Sequence, residues 1–362
     1  MSRSTPLRDV HESLGATLTD FAGWLMPLRY GSESAEHNAV RQAAGLFDLS
    51  HMGEIFLTGP QAGQALDYAL VGHLSALATG RARYTMIVNE RGGVLDDLIV
   101  YRLDDDEFMV VANASNYEKV AKELIERSKA YDVLVEDRSD QYALIAVQGP
   151  RSQEILATLT DADLDGLKYY AGLPDLVDGR QALIARTGYT GEDGFELFVA
   201  NQDAVPLWHA LMAAGEPYGL KPAGLSSRDT LRLEAGMPLY GNELGVELTP
   251  FDAGLGRVVK FDKPGDFVGR SALEAVKDDP PRRRLVGLVA RGRRVPRHGY
   301  PVTKDGAVVG EVTSGAPSQS LGRPIAMAYV DTGADAGLAV DIRGSHEPMD
   351  LVELPFYRRK NK

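Results

Sequence analysis

Two consecutive prolines divide the sequence into parts of different character. Pro280 and Pro281 lie in the segment KDDPPRRRL and cannot continue the helical pattern SALEAVK that precedes them. The charge changes at the same place. Residues 280–362 carry 14 Lys and Arg against 8 Asp and Glu, a net +6, whereas the remaining residues carry 25 against 43, a net −18. We therefore predict one domain over residues 1–279 and another over residues 280–362.

The two parts also differ in the pattern of their apolar residues. Beyond Pro281, short apolar runs recur at intervals of roughly ten residues, which predicts a small all-β barrel or sandwich. These runs are LVGLVAR, YPVTK, AVVGEVT, IAMAYV and LAVDI. Residues 1–279 mix helical and strand periods, which predicts an α+β fold with antiparallel sheets.

Individual segments of the first part support this mixture. EHNAVRQAAGLFDL is predicted to contain a helix that ends at its glycine, and NASNYEKVAKELIERSKAY has apolar residues at helical spacing. DLIVYRLDDDEFMVVAN is predicted to form a hairpin with an acidic tip. EIFLTGPQAGQALDYAL and ALIAVQGPRSQEILATL share the order strand, Gly-Pro, helix. We therefore expect two intertwined subdomains, one over roughly residues 52–140, with chance similarity as the alternative.

The composition excludes several kinds of functional site. The chain contains no Cys, which excludes disulfides, thiolate nucleophiles and cysteine metal sites. No two of the seven His lie four residues apart, so we predict no metal site. No stretch approaches the ~20 apolar residues that span a bilayer, and the first residues lack the apolar core of a signal peptide. We expect a cytoplasmic protein that binds no membrane.

The charge distribution bears on partners. The acidic bulk of the chain disfavours binding to nucleic acid. The basic region over residues 280–362 is compatible with an anionic ligand or an acidic partner. The alternative is that these residues form an ordinary solvated surface.

Two adjacent aspartates stand at the start of a strand that otherwise has the pattern of a buried one. In NERGGVLDDLIVYRL, Gly92 and Gly93 supply a tight turn before Asp96 and Asp97. Side chains alternate along a strand, so one carboxylate is expected to face outward and the other inward. An inward carboxylate requires a partner or a ligand, because its burial is costly. The alternative is that both carboxylates bond amides of the turn.

Two later segments combine charges with apolar neighbours. In RTGYTGEDGFEL we interpret Glu192 and Asp193 as loop charges, whereas Glu196 lies in an apolar run and needs a hydrogen-bonding partner if it is buried. In SSRDTLRLEAG, Arg228 and Arg232 are four residues apart on a predicted helix. Two cations on one helix face need a carboxylate between them, either from the protein or from a ligand.

In their order, the motifs of this sequence resemble those of one family, the T-proteins of the glycine cleavage system, which are aminomethyltransferases. The resemblance runs nearly end to end. It is carried by the segments TPLRDVHESLGA, DFAGWLMPLRYG, GLFDLSHMGE, GGVLDDLIVY, AVQGP, TGYTGEDGFE, SSRDTLRLEAGMPLYGNE, DFVGRSAL, EVTSGAPSQSLG, IAMAYV and LPFYR. The resemblance implies a multidomain, cloverleaf-shaped α+β fold with antiparallel sheets and a C-terminal β-barrel-like domain, arranged around a central folate channel.

The resemblance also implies an activity. Such enzymes take an aminomethyl group from the lipoyl arm of the H-protein and transfer its methylene carbon to tetrahydrofolate. The products are 5,10-methylenetetrahydrofolate, ammonia and dihydrolipoyl H-protein. The implied partners are therefore the lipoylated H-protein and tetrahydrofolate, the co-substrate. The alternative is a folate-binding module without enzymatic activity, since a fold can outlive its activity.

By the same resemblance, Asp97 is the catalytic carboxylate, which orients the folate amine and stabilises a positive, iminium-like centre. Asp96 is then the outward or structural member of the pair. Glu196 is expected to accept hydrogen bonds from the pterin ring. The other positions expected to line the folate site are Arg228, Tyr84, Met52, Asn113, Tyr101, Tyr169 and Tyr189. Arg257 stands where many relatives carry Trp, so the resemblance does not predict how the channel wall is formed at that position.

Overall fold

The computed structural model describes residues 2–359 of the chain. In these residues the α-helices are α1 Arg8–Ser13, α2 Glu33–Gln42, α3 Ala62–Ala69, α4 Tyr117–Arg127, α5 Ser152–Leu156, α6 Ala204–Gly215, α7 Leu225–Glu234 and α8 Arg270–Val276. The strands are β1 Arg3–Ser4, β2 Thr17–Phe21, β3 Trp24–Arg29, β4 Gly45–Asp48, β5 Gly53–Thr58, β6 Ala82–Val88, β7 Val94–Asp104, β8 Glu107–Ala112, β9 Leu134–Asp137, β10 Tyr142–Gln148, β11 Gly172–Val177, β12 Arg180–Ala185, β13 Gly194–Ala200, β14 Lys221–Pro222, β15 Arg283–Ala290, β16 Pro301–Lys304, β17 Ala307–Ser318, β18 Arg323–Asp331, β19 Leu338–Ile342 and β20 Ser345–Val352. None of these helices is long and apolar enough to cross a membrane.

Within the described residues, the strands form three open sheets and one closed barrel. The open sheets have the orders β1-β3-β2, β11-β12-β13-β10-β4-β14 and β6-β7-β8-β5-β9. The barrel has the order β15-β18-β17-β16-β19-β20. Neighbouring strands are mostly antiparallel, but β1 with β3 and β14 with β4 form two short parallel pairs. The predicted α+β class, with antiparallel sheets and a C-terminal barrel, is therefore confirmed.

The chain forms two compact units, each made of two stretches of sequence. The first comprises the chain up to Thr85 together with Asp97–Arg228, and the second comprises Met86–Asp96 together with the chain from Asp229 onward. Strands β6 and β7 and helix α7 each pass from one unit into the other. The domain limits expected from the sequence, at residue 280 and around residues 52–140, stay predictions.

The six-stranded sheet carries much of the core of the first unit. Its strand β10 has the sequence YALIAVQ, and residues on both of its faces are buried. Ile145 of β10 and Leu197 of β13 pack in one cluster with Trp208 and Leu211 of α6. Burial of each such side chain stabilises the fold by roughly 1.5–3 kcal/mol. The sheet is therefore a rigid support for polar residues that lie on β13 and on the loop before it.

One buried residue of the five-stranded sheet lacks a partner for part of its side chain. Glu54 of β5 is 1% exposed, and its Oε1 atom makes no hydrogen bond to any described residue. Burial, with a smaller contribution from Asp137, raises the pKa of Glu54 well above its ordinary value. The folded protein therefore holds a proton that the unfolded chain releases at a lower pH.

We expect Glu54→Gln to flatten the pH dependence of stability. Because the pKa of Glu54 is raised in the folded state, stability is lost as the pH rises from the ordinary pKa of a glutamate toward the raised value. Urea unfolding at about pH 5 and about pH 8 measures this loss. It should be larger in the wild type than in Glu54→Gln, by on the order of 1 kcal/mol. The same substitution at exposed Glu126 is the control, and parallel losses in the wild type and Glu54→Gln would contradict the expectation.

The second unit contains the barrel. Apolar residues from four of its strands, Leu288, Val302, Ala328 and Val340, are fully buried in one cluster. Side chains alternate along each strand, so one set of residues fills the interior and the other faces outward. This part of the chain thus has a core of its own.

A buried ion pair also lies in the second unit. The guanidinium of Arg232, 1% exposed, donates to Glu243 Oε2 at 3.0 Å and to Ser314 Oγ at 2.7 Å. Ser314 in turn donates its hydroxyl proton to Glu243 Oε1 at 2.7 Å. On its outer side, Arg232 donates from Nε to Asp229 at 2.7 Å. Of the two partners that the sequence allowed for this cation, a carboxylate from the protein is therefore the one observed.

Candidate active site

Asp97 of β7 lies between two polar side chains of the first unit. Tyr84 of β6 donates its hydroxyl proton to Asp97 Oδ2 at 3.0 Å, and Asn113 donates from Nδ2 to Asp97 Oδ1 at 2.9 Å. The register of the sheet explains the second bond. Ile99 of β7 pairs with Val111 of β8, so Asn113 comes opposite Asp97. Each carboxylate oxygen has a donor, which fixes the orientation of the group.

The surroundings of Asp97 act on its ionisation in opposite directions. Burial raises the pKa of Asp97 above its ordinary value, and the hydrogen bonds from Tyr84 and Asn113 oppose this increase. Burial and the neighbouring carboxylate raise the pKa of Tyr84 well above its ordinary value, so its hydroxyl remains a donor. Asp97 keeps part of its surface accessible. A fixed carboxylate of this kind stabilises positive charge that develops beside it.

Asp96 is not the outward-facing residue that the sequence allowed for. Its side chain is 0% exposed, whereas Asp97 is only partly buried. The two side chains do alternate, but the face of β7 that carries Asp96 also carries the buried residues Val94, Leu98 and Val100. The outward assignment was wrong because this face of the strand is buried from Val94 to Val100, and the structural role expected as its alternative remains.

A second carboxylate, Glu196 of β13, is 8% exposed and ends a chain of hydrogen bonds. Thr187 donates its hydroxyl proton to Glu196 Oε2, and the hydroxyl of Tyr101 lies 2.9 Å from Thr187 Oγ1. Burial raises the pKa of Glu196 above its ordinary value, and the Thr187 hydrogen bond and the charge of Arg228 oppose this increase. Thr187 is therefore the partner that the sequence required for Glu196, although no sequence signal singled it out.

Arg228 of α7 lies over an aromatic ring. Its guanidinium carbon is 4.8 Å from the ring centre of Tyr189. Burial lowers the pKa of Arg228 from its ordinary value, and Glu196 and Tyr189 oppose this decrease. Among the described residues Arg228 forms no ion pair, in contrast to Arg232. No carboxylate of the described residues therefore neutralises it through an ion pair, and the ligand carboxylate that the sequence allowed for stays a prediction.

The loop that carries Tyr189 is held by ion pairs. Glu192 accepts a hydrogen bond from Arg41 at 3.0 Å, and Asp193 accepts two from Arg186, at 3.0 and 2.6 Å. The sequence interpretation of Glu192 and Asp193 as loop charges was therefore incomplete. Both acids are paired with arginines, and together these pairs fix the backbone on which Tyr189 is mounted.

Tyr170 lies near both carboxylates, although the sequence analysis did not single it out. Burial raises the pKa of Tyr170, and Tyr169, Glu196 and Asp97 add to the increase in that order. Tyr169, which was singled out, packs edge to face against Tyr170 with 4.8 Å between ring centres, but it is 46% exposed. The charges of Asp97 and Glu196 therefore both act on Tyr170, which relates the two carboxylates to one region of the first unit.

His51, next to Met52 in the sequence, is a further buried titratable group of the first unit. It is 2% exposed, and its Nδ1 atom has no hydrogen-bond partner among residues 2–359. Burial lowers the pKa of His51 to about 4, with Asp48 opposing the decrease and Arg228 adding to it. The imidazole is therefore neutral near pH 7. Met52 is partly buried, and its place in a folate site stays a prediction.

The combination of these groups limits what the site can bind. A carboxylate accepts hydrogen bonds only, so Glu196 suits a ligand with N–H donors. Tyrosine rings offer flat faces for an aromatic or heterocyclic ring. Asp97 suits a neighbouring centre that gains positive charge. The arrangement therefore fits a flat nitrogen heterocycle that reacts close to Asp97.

Comparisons with known proteins match nearly the whole chain to one family. The family model of the GCVT N-terminal domain matches residues 7–263, and that of the glycine cleavage T-protein C-terminal barrel domain matches residues 283–358. The aminomethyltransferases of Streptomyces coelicolor and Streptomyces avermitilis are 68% and 67% identical to the chain, over 99% of its length and 98% of theirs.

A solved structure has the same fold. The crystal structure of glycine cleavage system aminomethyltransferase T from Bartonella henselae matches with a TM-score of 0.92 and 36% identity. The match covers 99% of this chain and 98% of that one. The chain therefore belongs to the glycine cleavage T-protein family, the aminomethyltransferases, and is an enzyme of that family.

Proposed function

We propose that this chain transfers the methylene carbon of an aminomethyl group from the lipoylated H-protein to tetrahydrofolate. The carbon–sulfur bond to the lipoyl arm and the carbon–nitrogen bond to the amino group break, and the carbon forms bonds to two folate nitrogens. The two protons displaced from those nitrogens go to the lipoyl sulfur and to the departing ammonia. The products are 5,10-methylenetetrahydrofolate, ammonia and dihydrolipoyl H-protein. Membership of the aminomethyltransferase family supports this choice of co-substrates.

The observation that carries the proposal is the fixed carboxylate of Asp97. Methylene transfer between nitrogen and sulfur passes through positively charged species, which a nearby carboxylate stabilises without having to reorient. Tyr84 and Asn113 hold this carboxylate in place. We therefore assign these two residues to the orientation of Asp97, in addition to their expected place beside the folate.

We assign recognition of the pterin ring to Glu196. Its directly paired cross-strand neighbours are Ala146 on β10 and Ala185 on β12, so the two positions opposite Glu196 carry only small side chains. Arg228 and Tyr189 add a cation and an aromatic ring close to it. A flat ring with N–H donors fits this combination of a hydrogen-bond acceptor, a cation and an aromatic ring.

The proposed co-substrates also bear on location and docking. Reduced folates and lipoylated carrier proteins are intracellular molecules, so we place the reaction in the cytoplasm. The net charge of +6 over residues 280–362 favours the approach of an acidic carrier.

The test is an assay with H-protein that carries a verified aminomethyl group on its lipoyl arm. We expect methylenetetrahydrofolate and ammonia to form at equal rates, and only when the chain and tetrahydrofolate are both present. H-protein without the lipoyl group is the control. Tetrahydrofolate binding without product from the loaded carrier would refute the proposed reaction and leave only a folate-binding site.

A further inference from the structure

A short chain of hydroxyl groups in the first unit ends at Glu196. The hydroxyl of Tyr101 is 2.9 Å from Thr187 Oγ1, and Thr187 donates to Glu196 Oε2. Tyr101 and Thr187 are each 1% exposed. The ring of Tyr101 also packs edge to face on Phe198, two residues beyond Glu196 on the same face of β13, with 5.7 Å between ring centres. Both ends of this chain of hydrogen bonds, Tyr101 on β7 and Glu196 on β13, are therefore held by packed strands.

The direction of the hydrogen bonds follows from the number of protons. An ionised carboxylate has no proton to donate, so Thr187 must be the donor toward Glu196. A threonine hydroxyl has a single proton, so Thr187 must then accept from Tyr101. The chain runs from Tyr101 through Thr187 to Glu196, and each bond polarises and strengthens the next.

The other oxygen of Glu196 has no such partner. Within residues 2–359, Oε1 of Glu196 makes no hydrogen bond, whereas Oε2 is occupied by Thr187. The two oxygens therefore have different tasks. One is tied to the protein, and the other is open to a donor from a ligand.

We propose that Thr187 is a positioning residue for folate binding: its hydroxyl, oriented by Tyr101, holds Glu196 as a carboxylate with Oε1 turned toward the pterin ring. The inference rests on the proposed function, in which Glu196 accepts hydrogen bonds from that ring. It adds a second residue, Tyr101, whose effect on the ligand is transmitted through Thr187. It also predicts a pH dependence of folate binding that Thr187 controls.

The groups that face Glu196 set this pH dependence. Burial favours the protonated acid, while the Thr187 hydrogen bond and, to a smaller extent, the charge of Arg228 favour the carboxylate. The charge of Glu196 also acts on the phenols of Tyr101 and Tyr170, and burial raises the pKa of both, so they stay neutral. Removing the Thr187 hydroxyl therefore removes the larger of the two influences that keep Glu196 ionised.

The experiment is an anaerobic titration of the full chain with tetrahydrofolate between about pH 5 and about pH 8. In the wild type, Kd should rise as the pH falls, because protonated Glu196 loses an acceptor. This rise in Kd at low pH is the acidic limb of the binding profile. Thr187→Val keeps the shape of the side chain but removes the hydroxyl, and it should move the acidic limb to a pH about one unit higher. Thr187→Ser should restore the limb to its wild-type position, and Tyr101→Phe should move it upward by a smaller amount.

Glu196→Gln supplies the baseline, since it leaves only the titration of the ligand itself. An acidic limb that Thr187→Val does not move, or that Thr187→Ser moves equally far, overturns the role of Thr187. Failure of the wild type to bind tetrahydrofolate, or a Glu196→Gln profile identical to the wild type, overturns the folate site instead. Thermal unfolding of each variant identifies a folding defect. If Thr187→Val does not fold, the shifts of the acidic limb in Thr187→Ser and Tyr101→Phe decide whether Thr187 positions Glu196.

Discussion

We expect Asp97→Asn to lower kcat for methylene transfer by roughly 10²–10³-fold while tetrahydrofolate still binds. Asparagine has the shape of aspartate but no charge, so the positive centre formed during transfer loses its counter-charge. The amide also disturbs the pair of donors, because Asn113 donates to an oxygen that the substitution can replace with an NH₂ group. Single-turnover assays with loaded H-protein, together with folate titrations, separate the chemical step from binding. Asp97→Ala, which removes the side chain beyond Cβ, should abolish transfer.

The matched control is Asp104→Asn, at the exposed end of the same strand, which should leave kcat nearly unchanged. The pH profile gives a second readout. Burial raises the pKa of Asp97, so wild-type kcat should fall on the acid side as this carboxylate takes up a proton. Asp97→Asn should lack that limb. Turnover by Asp97→Asn close to that of Asp104→Asn would exclude an electrostatic role for Asp97.

Arg232→Met is expected to destabilise the second unit by about 3–5 kcal/mol. The substitution leaves Glu243, 0% exposed, as a buried charge without its cation. The hydroxyl of Ser314 and the backbone N–H of Leu239 can still donate to Glu243, but two neutral donors do not replace a guanidinium. Thermal and urea unfolding of the full chain, followed by a probe in each unit, measure the loss and show where it falls.

Arg91→Met is the matched control for this prediction. Arg91 pairs with Glu247 in the same unit, but both side chains are 76% exposed, so the loss should stay below about 1 kcal/mol. The double variant Arg232→Met/Glu243→Met should recover part of the stability, because neither charge is then left unpaired. Equal losses for the two Arg→Met variants would show that burial does not decide the strength of these pairs.

Elements with strong local signals were predictable from the sequence. The helical spacing in NASNYEKVAKELIERSKAY corresponds to α4, Tyr117–Arg127, and the acidic-tipped hairpin corresponds to β7 and β8. The regular apolar runs after Pro281 correspond to the closed barrel. The assignment of Met86–Asp96 to the second unit had no local signal, because it depends on contacts with residues far along the chain.

The site was predictable in its residue types more than in its contacts. The sequence required a partner for Glu196, but any nearby donor satisfied that requirement, and only the packing of β7 against β13 selects Thr187 and Tyr101. From their spacing alone, Arg228 and Arg232 were expected to need the same kind of partner, a carboxylate. Their different partners follow from Glu243, which approaches Arg232 from a segment that the helical pattern does not include.

The two-stretch composition of the second unit has a consequence for synthesis on the ribosome. The segment Met86–Asp96 emerges first, and the 132 residues from Asp97 to Arg228 (228 − 96) must follow before the rest of its unit begins. At the usual rates of translation this interval lasts roughly 7 to 26 s. During this time several side chains that are buried in the finished protein wait without their partners: Met86, Ile87, Val88, Val94 and Leu95. The nascent chain therefore exposes an apolar segment on β6 and β7. A chaperone that binds unfolded apolar segments could cover it until the barrel has been synthesised.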